Sequence, residues 1–383
     1  MTIDRRRDEF PTLAEGVYLL SHSLGPMPRA AHDAMRDYLD AWRGHTSEDA
    51  WMSAWWELSS RVGDIYGEII GADPGTTIPT HNATAAMATI ASCLNYAERP
   101  TVVTTALDFP SMGYLWRAQE RLGARVRVVP SDDGISTPTD RLLDAIDETT
   151  SVVAVSHVSY CSSSRIDARA VVERAHEVGA LVVLDVYQSA GVVEIDAAAL
   201  GADALIGGSI KWVCGGPACG FLCVRADLIG RLEPTITGWI AHENPFAFDA
   251  GAQRYDSSIR RFAAGTPCIP ALYAVTPGLE IIREIGVAAI AAESQTRTQR
   301  IIEAAQARGW PVNSPLEPEN RGGTVMLGFP DAQSVAGALR ERGVFVDWRP
   351  RAGARLSPHF FNTDEELERA IEAIAGVIGA ASA

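Results

Sequence analysis

Two side chains in the stretch 181–224 are of types that could do chemistry together, the carboxylate of Asp185 and the amine of Lys211. A neutral lysine amine adds to an aldehyde to give a Schiff base, and a carboxylate keeps a proton on a ring nitrogen. Asp185 ends an apolar, β-branched run of strand length, Leu181 to Leu184. Lys211 follows a second short apolar segment, Ala204 to Ile206, by way of Gly207, Gly208, Ser209 and Ile210. Gly215, Gly216, Pro217 and Gly220 then force a tight loop before the strand from Phe221 to Val224. Taken singly, Asp185 reads as a helix cap and Lys211 as a solvated loop lysine, because most such residues lie on surfaces. Taken together at the carboxyl ends of buried strands, they face one crevice, which is where open α/β sheets bind ligands.

Pyridoxal-phosphate chemistry needs this pair, the amine to hold the cofactor and the acid to keep its pyridine nitrogen protonated so that the ring acts as an electron sink. The run Asp185-Val186-Tyr187-Gln188-Ser189-Ala190-Gly191, followed by Lys211 and the Gly-Gly-Pro of 215–217, resembles the core of fold-type I pyridoxal-phosphate enzymes. Within these it is similar to the class V aminotransferase group, and to kynureninase most of all, from Tyr18 to about Ile374. The resemblance implies an α/β fold: a three-layer, PLP-dependent transferase-like large domain with a mostly parallel sheet, plus a small α+β C-terminal domain. It implies pyridoxal 5'-phosphate as cofactor, an amino acid as substrate, and a homodimer whose subunits share active sites. We expect an N-terminal arm and helix over 1–45, the large domain over 46–269, and linking helices with the small domain over 270–383.

The elements that must position the pair follow from the pattern. Val17-Tyr18-Leu19-Leu20 reads as a short strand, and 21–28 as a loop whose Pro28 precedes a helix. A long amphipathic helix is predicted from Thr46 to Ile70, with Trp51, Trp55 and Trp56 on a stripe that belongs to a core or a subunit interface. Strand-like runs recur at 78–80, 101–105, 124–129 and 152–155, with helices at 140–147 and 167–178 between later ones. This alternation predicts a parallel sheet with right-handed crossovers. Two long helices between Pro270 and Gly309 lead to a small unit built from 324–329, a helix over 332–342, 344–348 and a helix over 364–378.

Several further residues point into the crevice. Small residues at Ala83 and Thr84 open a helix after a strand, and free N–H groups there make an anion site with the Thr84 hydroxyl as an added donor. The segment resembles the phosphate-cradling Ala-Thr turn of the class V group. The resemblance places Phe109 on the pyridine ring, Gln188 on the cofactor's phenolate oxygen, and Trp239 and Thr266 near the phosphate, the last across a dimer interface. Arg355 matches the arginine that binds the substrate α-carboxylate, a task suited to a forked guanidinium. His22, where kynureninases carry Asn, and His157 and Tyr160, after the strand 152–155, are expected near substrate or cofactor.

The chain also departs from the kynureninase pattern. Met112 stands where an Asp is usual, and Ile210 replaces a phosphate-binding Tyr whose hydroxyl Ser209 is expected to replace in part. Gln188 stands where His is common and cannot shuttle a proton. These changes leave open a kynureninase-like Cβ–Cγ cleavage, a Cβ–S cleavage, transamination, epimerisation and, in another class, binding without turnover. A persulfide-forming desulfurase is disfavoured, since 312–324 contains no cysteine.

Composition narrows the partners. At 383 residues, 47% hydrophobic and 21% charged, the chain is that of a globular protein of about two domains. A formal charge of −15 repels nucleic acid and anionic membrane surfaces. Neither a leader-like apolar run nor a membrane-length one occurs, which suits a cytoplasmic protein. Cys214, Cys219 and Cys223 cluster without a nearby histidine, so reduced thiols are expected and no metal.

Overall fold

The computed structural model describes residues 6–44 and 46–381. The first five residues, part of the stretch read as carrying no leader, lie outside them. The strands in chain order are β1 Val17–Tyr18, β2 Thr77–Thr80, β3 Thr101–Thr105, β4 Arg125–Val129, β5 Thr150–Ser156 and β6 Leu181–Asp185. They continue as β7 Ala204–Gly208, β8 Gly220–Val224, β9 Val325–Leu327, β10 Val344–Phe345, β11 Asp347–Arg349 and β12 Gly353–Leu356.

Seven of these form the main sheet in the order β2-β8-β7-β6-β5-β3-β4, and only β8 runs against its neighbours. Side chains alternate across it. Val153, Val155, Val182 and Leu184 join one core, while Val152, Ala154 and Val183 join the other. Helices Trp56–Ile70, Ala168–Glu177 and Ile269–Ile285 cover the first face, and Ala83–Ala91 and Pro110–Ala118 cover the second. A parallel strand buried on both faces reads as an unbroken apolar run, which is why 152–155 and 181–184 show so plainly in the sequence.

The small unit has its own core around Val325, Leu327, Leu339, Leu356 and Leu367, and an antiparallel sheet of order β11-β12-β9. The segment expected as an N-terminal arm enters this unit. Strand β1 lies parallel to β10, Leu20 bridges Ser357, and Val17 and Leu19 are fully buried in the same core. That pairing brings the loop after β1 over the end of the main sheet.

Two predicted elements are subdivided. The run 344–348 breaks at Val346 into β10 and β11, which pair with different partners. The helix expected from Thr46 contains one wide turn at Trp51–Trp55 between Ser47–Ala50 and Trp56–Ile70. The wide turn stacks Trp51 edge-on against Trp55 and Trp239. These tryptophans are only half-buried, so the stripe is surface and not core. Among the described residues no helix is long and apolar enough to cross a membrane.

Candidate active site

Five strand ends converge on one cavity of about 300 Å³. Its wall takes Asn82, Ala83 and Thr84 after β2, Phe109 after β3, Tyr160 after β5, Asp185 at the end of β6 and Lys211 after β7. The small unit adds Arg349 and Arg355, and the loop after β1 adds His22. The acid and amine singled out by sequence therefore share a single crevice.

Asp185 is buried, and one oxygen, Oδ1, accepts the Tyr187 N–H at 2.9 Å. Its other oxygen has no hydrogen-bond partner in the protein among the described residues and is left to the cavity. Burial raises its pKa, against the pull of the Tyr187 N–H and the Lys211 charge. The Lys211 ammonium has no hydrogen bond or ion pair among the described residues, and stands 4.3 Å from the centre of the Tyr187 ring and 5.8 Å from that of Phe109. Desolvation brings its pKa down to about 8, with Asp185 opposing and Arg355 and Arg349 assisting. Gly25 explains how the first loop closes over this lysine: its N–H meets the Ile210 carbonyl at 2.7 Å, and a Cβ there would lie 2.1 Å from the Lys211 carbonyl oxygen.

Phe109 caps the helix Pro110–Ala118 and leaves 45% of its surface open beside the cavity, edge-on to Tyr160 at 5.1 Å. Below it Asp108, which sequence reasoning passed over, accepts the Thr105 and Ser156 N–H groups at 2.6 and 2.7 Å and ties the ends of β3 and β5 together. Burial raises that carboxyl to about 6. Gln188 is fixed in orientation, because the Trp212 indole can only donate and does so to Oε1 at 3.1 Å. Its Nε2 donates to the His22 carbonyl at 3.1 Å, which leaves a second amide hydrogen. At the helix Ala83–Ala91, the Asn82 side chain caps the Ala85 N–H, so the N–H groups of Ala83 and Thr84 remain for an anion.

The substrate side is a network around Asp347. Arg355 presents its Nε and Nη2 to the two carboxylate oxygens at 2.8 and 2.6 Å, and its Nη1 donates to the Tyr160 carbonyl at 3.0 Å. This uses three of the guanidinium's donors and leaves one N–H on each terminal nitrogen. His22 donates Nε2–H to Asp347 at 2.8 Å, and its Nδ1 faces the Ser357 hydroxyl at 2.7 Å. Burial and the Arg355 charge hold His22 down at about 4, so it is neutral at pH 7. Asp347, fed by both, is held well below the usual carboxylate range. Asp347 and Arg349 were not picked from sequence, since the signal is a register: Asp347 faces Arg355 across β11 and β12.

Four expected residues lie elsewhere. Ser209 is wholly buried and turns its hydroxyl to the carbonyls of Gly216 and Cys219 at 2.5 and 2.8 Å, where the glycine-rich loop needs a donor, so it does not stand in for the missing tyrosine. His157 lies below the cavity on the Ser189 hydroxyl at 3.0 Å. Trp239 packs on Trp51, Trp56 and Phe246 beside a larger apolar concavity of about 640 Å³, and Thr266 is exposed near its rim. Neither reaches the 300 Å³ cavity within one chain. The thiols of Cys214, Cys219 and Cys223 are free and buried, and desolvation raises all three.

The cavity fits the expected cofactor on this chain's own chemistry. An amine with no hydrogen bond or ion pair among the described residues, a carboxylate with one oxygen open, an exposed aromatic face and uncapped helix N–H groups surround one space. Comparison with known proteins agrees. The family model for aminotransferase class-V matches residues 17–369. An uncharacterized aminotransferase, YcbU of Bacillus subtilis, is 31% identical over 378 residues, covering 97% of each chain. The kynureninase of Pseudomonas fluorescens is also 31% identical, over 90% of this chain and 84% of that one. Among solved structures, the cysteine desulfurase of Thermococcus onnurineus superposes with a TM-score of 0.87 at 22% identity over 99% of both chains. The cystine C-S lyase C-DES superposes with a TM-score of 0.85 at 19% identity, over 96% of this chain and 99% of that one. The fold is thus the fold-type I architecture of pyridoxal-phosphate enzymes.

Proposed function

Because the chain belongs to the class-V aminotransferase family and takes pyridoxal phosphate, we propose that it deprotonates an amino acid at Cα and then cleaves the bond beyond Cβ, carbon–carbon or carbon–sulfur. The observation that carries the first step is the Lys211 amine, without a hydrogen bond or ion pair among the described residues and set in one cavity with Asp185 and Arg355. When bound, the cofactor supplies an electron sink for the charge left at Cα.

The residues divide the remaining work. Asp185 would hold the pyridine nitrogen through its open oxygen, Phe109 would cover the ring, and Gln188 would donate its spare amide hydrogen to the phenolate oxygen. Ala83 and Thr84 would seat the phosphate on the helix N–H groups. Arg355 orients the substrate α-carboxylate with the N–H left on each terminal nitrogen, and Asp347 and His22 keep that guanidinium in place. Lys211, with a proton affinity matched to near-neutral pH, takes the Cα proton. The Tyr160 hydroxyl has no protein hydrogen bond among the described residues, and Tyr160 lines the cavity while its carbonyl holds Arg355. Trp239 and Thr266 serve a site only across a subunit boundary, and the half-buried tryptophans beside the larger concavity suit such a homodimer contact in a cytoplasmic enzyme.

Cleavage beyond Cβ is supported by the kynureninase relatives. Transamination is the second reading, supported by the aminotransferase relative that spans 97% of the chain. Persulfide formation is opposed by Cys161, which follows Tyr160 but whose thiol is raised by burial and bonded to Ser159. The test is to incubate purified holoenzyme with kynurenine, with cysteine conjugates, and with an amino donor plus a keto acid. Anthranilate or pyruvate is expected. A new amino acid formed from the keto acid, with neither of those products, would replace the cleavage reading by transamination.

A further inference from the structure

We propose that Arg349 reads a second acidic group on the substrate, so that this site takes amino acids whose side chain ends in a carboxylate or comparable oxyanion. The inference rests on the functional reading above, in that Arg355 is assigned to the α-carboxylate. Arg349 lies on β11 two residues beyond Asp347, on the same face of the strand and about 7 Å farther along it. It lines the cavity wall shared with Phe109, Tyr160 and Lys211, and 45% of its side chain is open to solvent.

The two arginines differ in which edge they have already spent. Arg355 has its Nε–Nη2 edge on Asp347. Arg349 uses only Nη1, which reaches the Trp348 carbonyl at 2.7 Å and Asp347 at 3.2 Å. Its Nε and Nη2 make no bond to the protein among the described residues, and that pair is the fork that meets a carboxylate with two parallel hydrogen bonds.

The charges agree with this. On the substrate side Arg349 and Arg355 share the single carboxylate Asp347, since His22 is neutral at pH 7. Two guanidinium groups against one carboxylate leave that wall positive, a field that favours an added carboxylate over a neutral amide. The same field already acts on the amine, because Arg355 and Arg349 both help to lower Lys211.

The experiment is an absorbance titration of holoenzyme with isosteric pairs, L-glutamate against L-glutamine and S-carboxymethyl-L-cysteine against its carboxamide. Dissociation constants are measured for wild type, Arg349→Gln and Arg349→Lys. We expect the acid of each pair to bind at least about tenfold tighter in wild type, the difference one charged bidentate contact makes. Arg349→Gln should abolish the preference by weakening the acids far more than the amides, and Arg349→Lys should keep part of it. Equal binding of acid and amide in wild type, or equal weakening of both by Arg349→Gln, would overturn the assignment while leaving the amino-acid enzyme intact. No band shift with any amino acid would remove the functional reading itself, and this inference with it.

Discussion

The cofactor side and the substrate side of the cavity are built in different ways. Asp185, Lys211, Phe109 and Thr84 sit at the ends of strands in a single sheet, and neighbouring strands β5 to β8 are buried almost throughout. His22, Asp347, Arg349 and Arg355 come from two distant parts of the chain and meet only because β1 is paired into the small unit. The first arrangement holds a fixed group rigidly. The second depends on one carboxylate, Asp347, which orders an imidazole and two guanidinium groups at once. Generic chemistry is thus placed on the stiffer element, and selectivity on a network that one substitution can rearrange.

Breaking the cofactor side should cost most. Lys211→Ala removes both the tether and the base, and we expect turnover to fall by about 10⁴-fold or more, with loss of the aldehyde-adduct absorbance band. Asp185→Asn keeps the shape and deletes the charge, so turnover should fall on the order of 10²–10³-fold with the protein still coloured. The same variant sharpens a pH prediction. Imine formation needs the neutral amine, so the rate at which apoenzyme captures pyridoxal phosphate should rise with pH and level off above about 8. Asp185 raises the Lys211 pKa, so its removal should move that midpoint downward. An upward move in the rate-against-pH curve would show that the two groups are not electrostatically coupled.

Breaking the substrate side should leave the colour and change the affinity. Arg355→Met is expected to cost about 10–100-fold in kcat/KM, as befits loss of a charged bidentate contact, while the cofactor spectrum stays unchanged. Asp347→Asn should have a similar but smaller effect through Arg355. If either variant loses the cofactor, the two halves are not separable in the way the geometry suggests.

The same contrast explains what could be read in advance. Runs such as 152–155 and 181–184 announce buried parallel strands, and an acid or a lysine just after such a run falls at a ligand crevice whatever the details. Asp347 carries no such mark. It becomes visible only when β11 is aligned with β12, and that register follows from packing in the small unit. Ser209 misled for the converse reason, since a hydroxyl beside Lys211 looks available until the carbonyls of Gly216 and Cys219 claim it. Trp239 and Thr266 lie beside the larger concavity and outside the cavity of their own chain, where a pattern in one chain carries no mark of a contribution to the site.

The smallest expected effect separates positioning from chemistry at His22. This imidazole touches neither amine nor acid of the cofactor side, and works through Asp347 on Arg355. His22→Asn, which installs the residue usual in the resembling family, should raise KM by about 3–10-fold with little change in kcat, as expected for a lost hydrogen bond to a charged group. Its second signature is in stability. His22 titrates near 4 when folded and near 6.5 when unfolded, so between those values the unfolded chain binds more protons and stability falls as pH is lowered. His157 and His359 are depressed to about 4 in the same way. Each such histidine contributes up to about 1.4 kcal/mol per pH unit inside that window. Chemical denaturation at pH 7 and pH 5 should therefore show His22→Asn losing less stability than wild type on acidification. A larger loss in His22→Asn than in wild type would mean that His22 is already protonated in the folded state and that the Asp347 network holds an imidazolium instead of a neutral ring. An identical loss would mean that folding leaves the proton affinity of His22 unshifted.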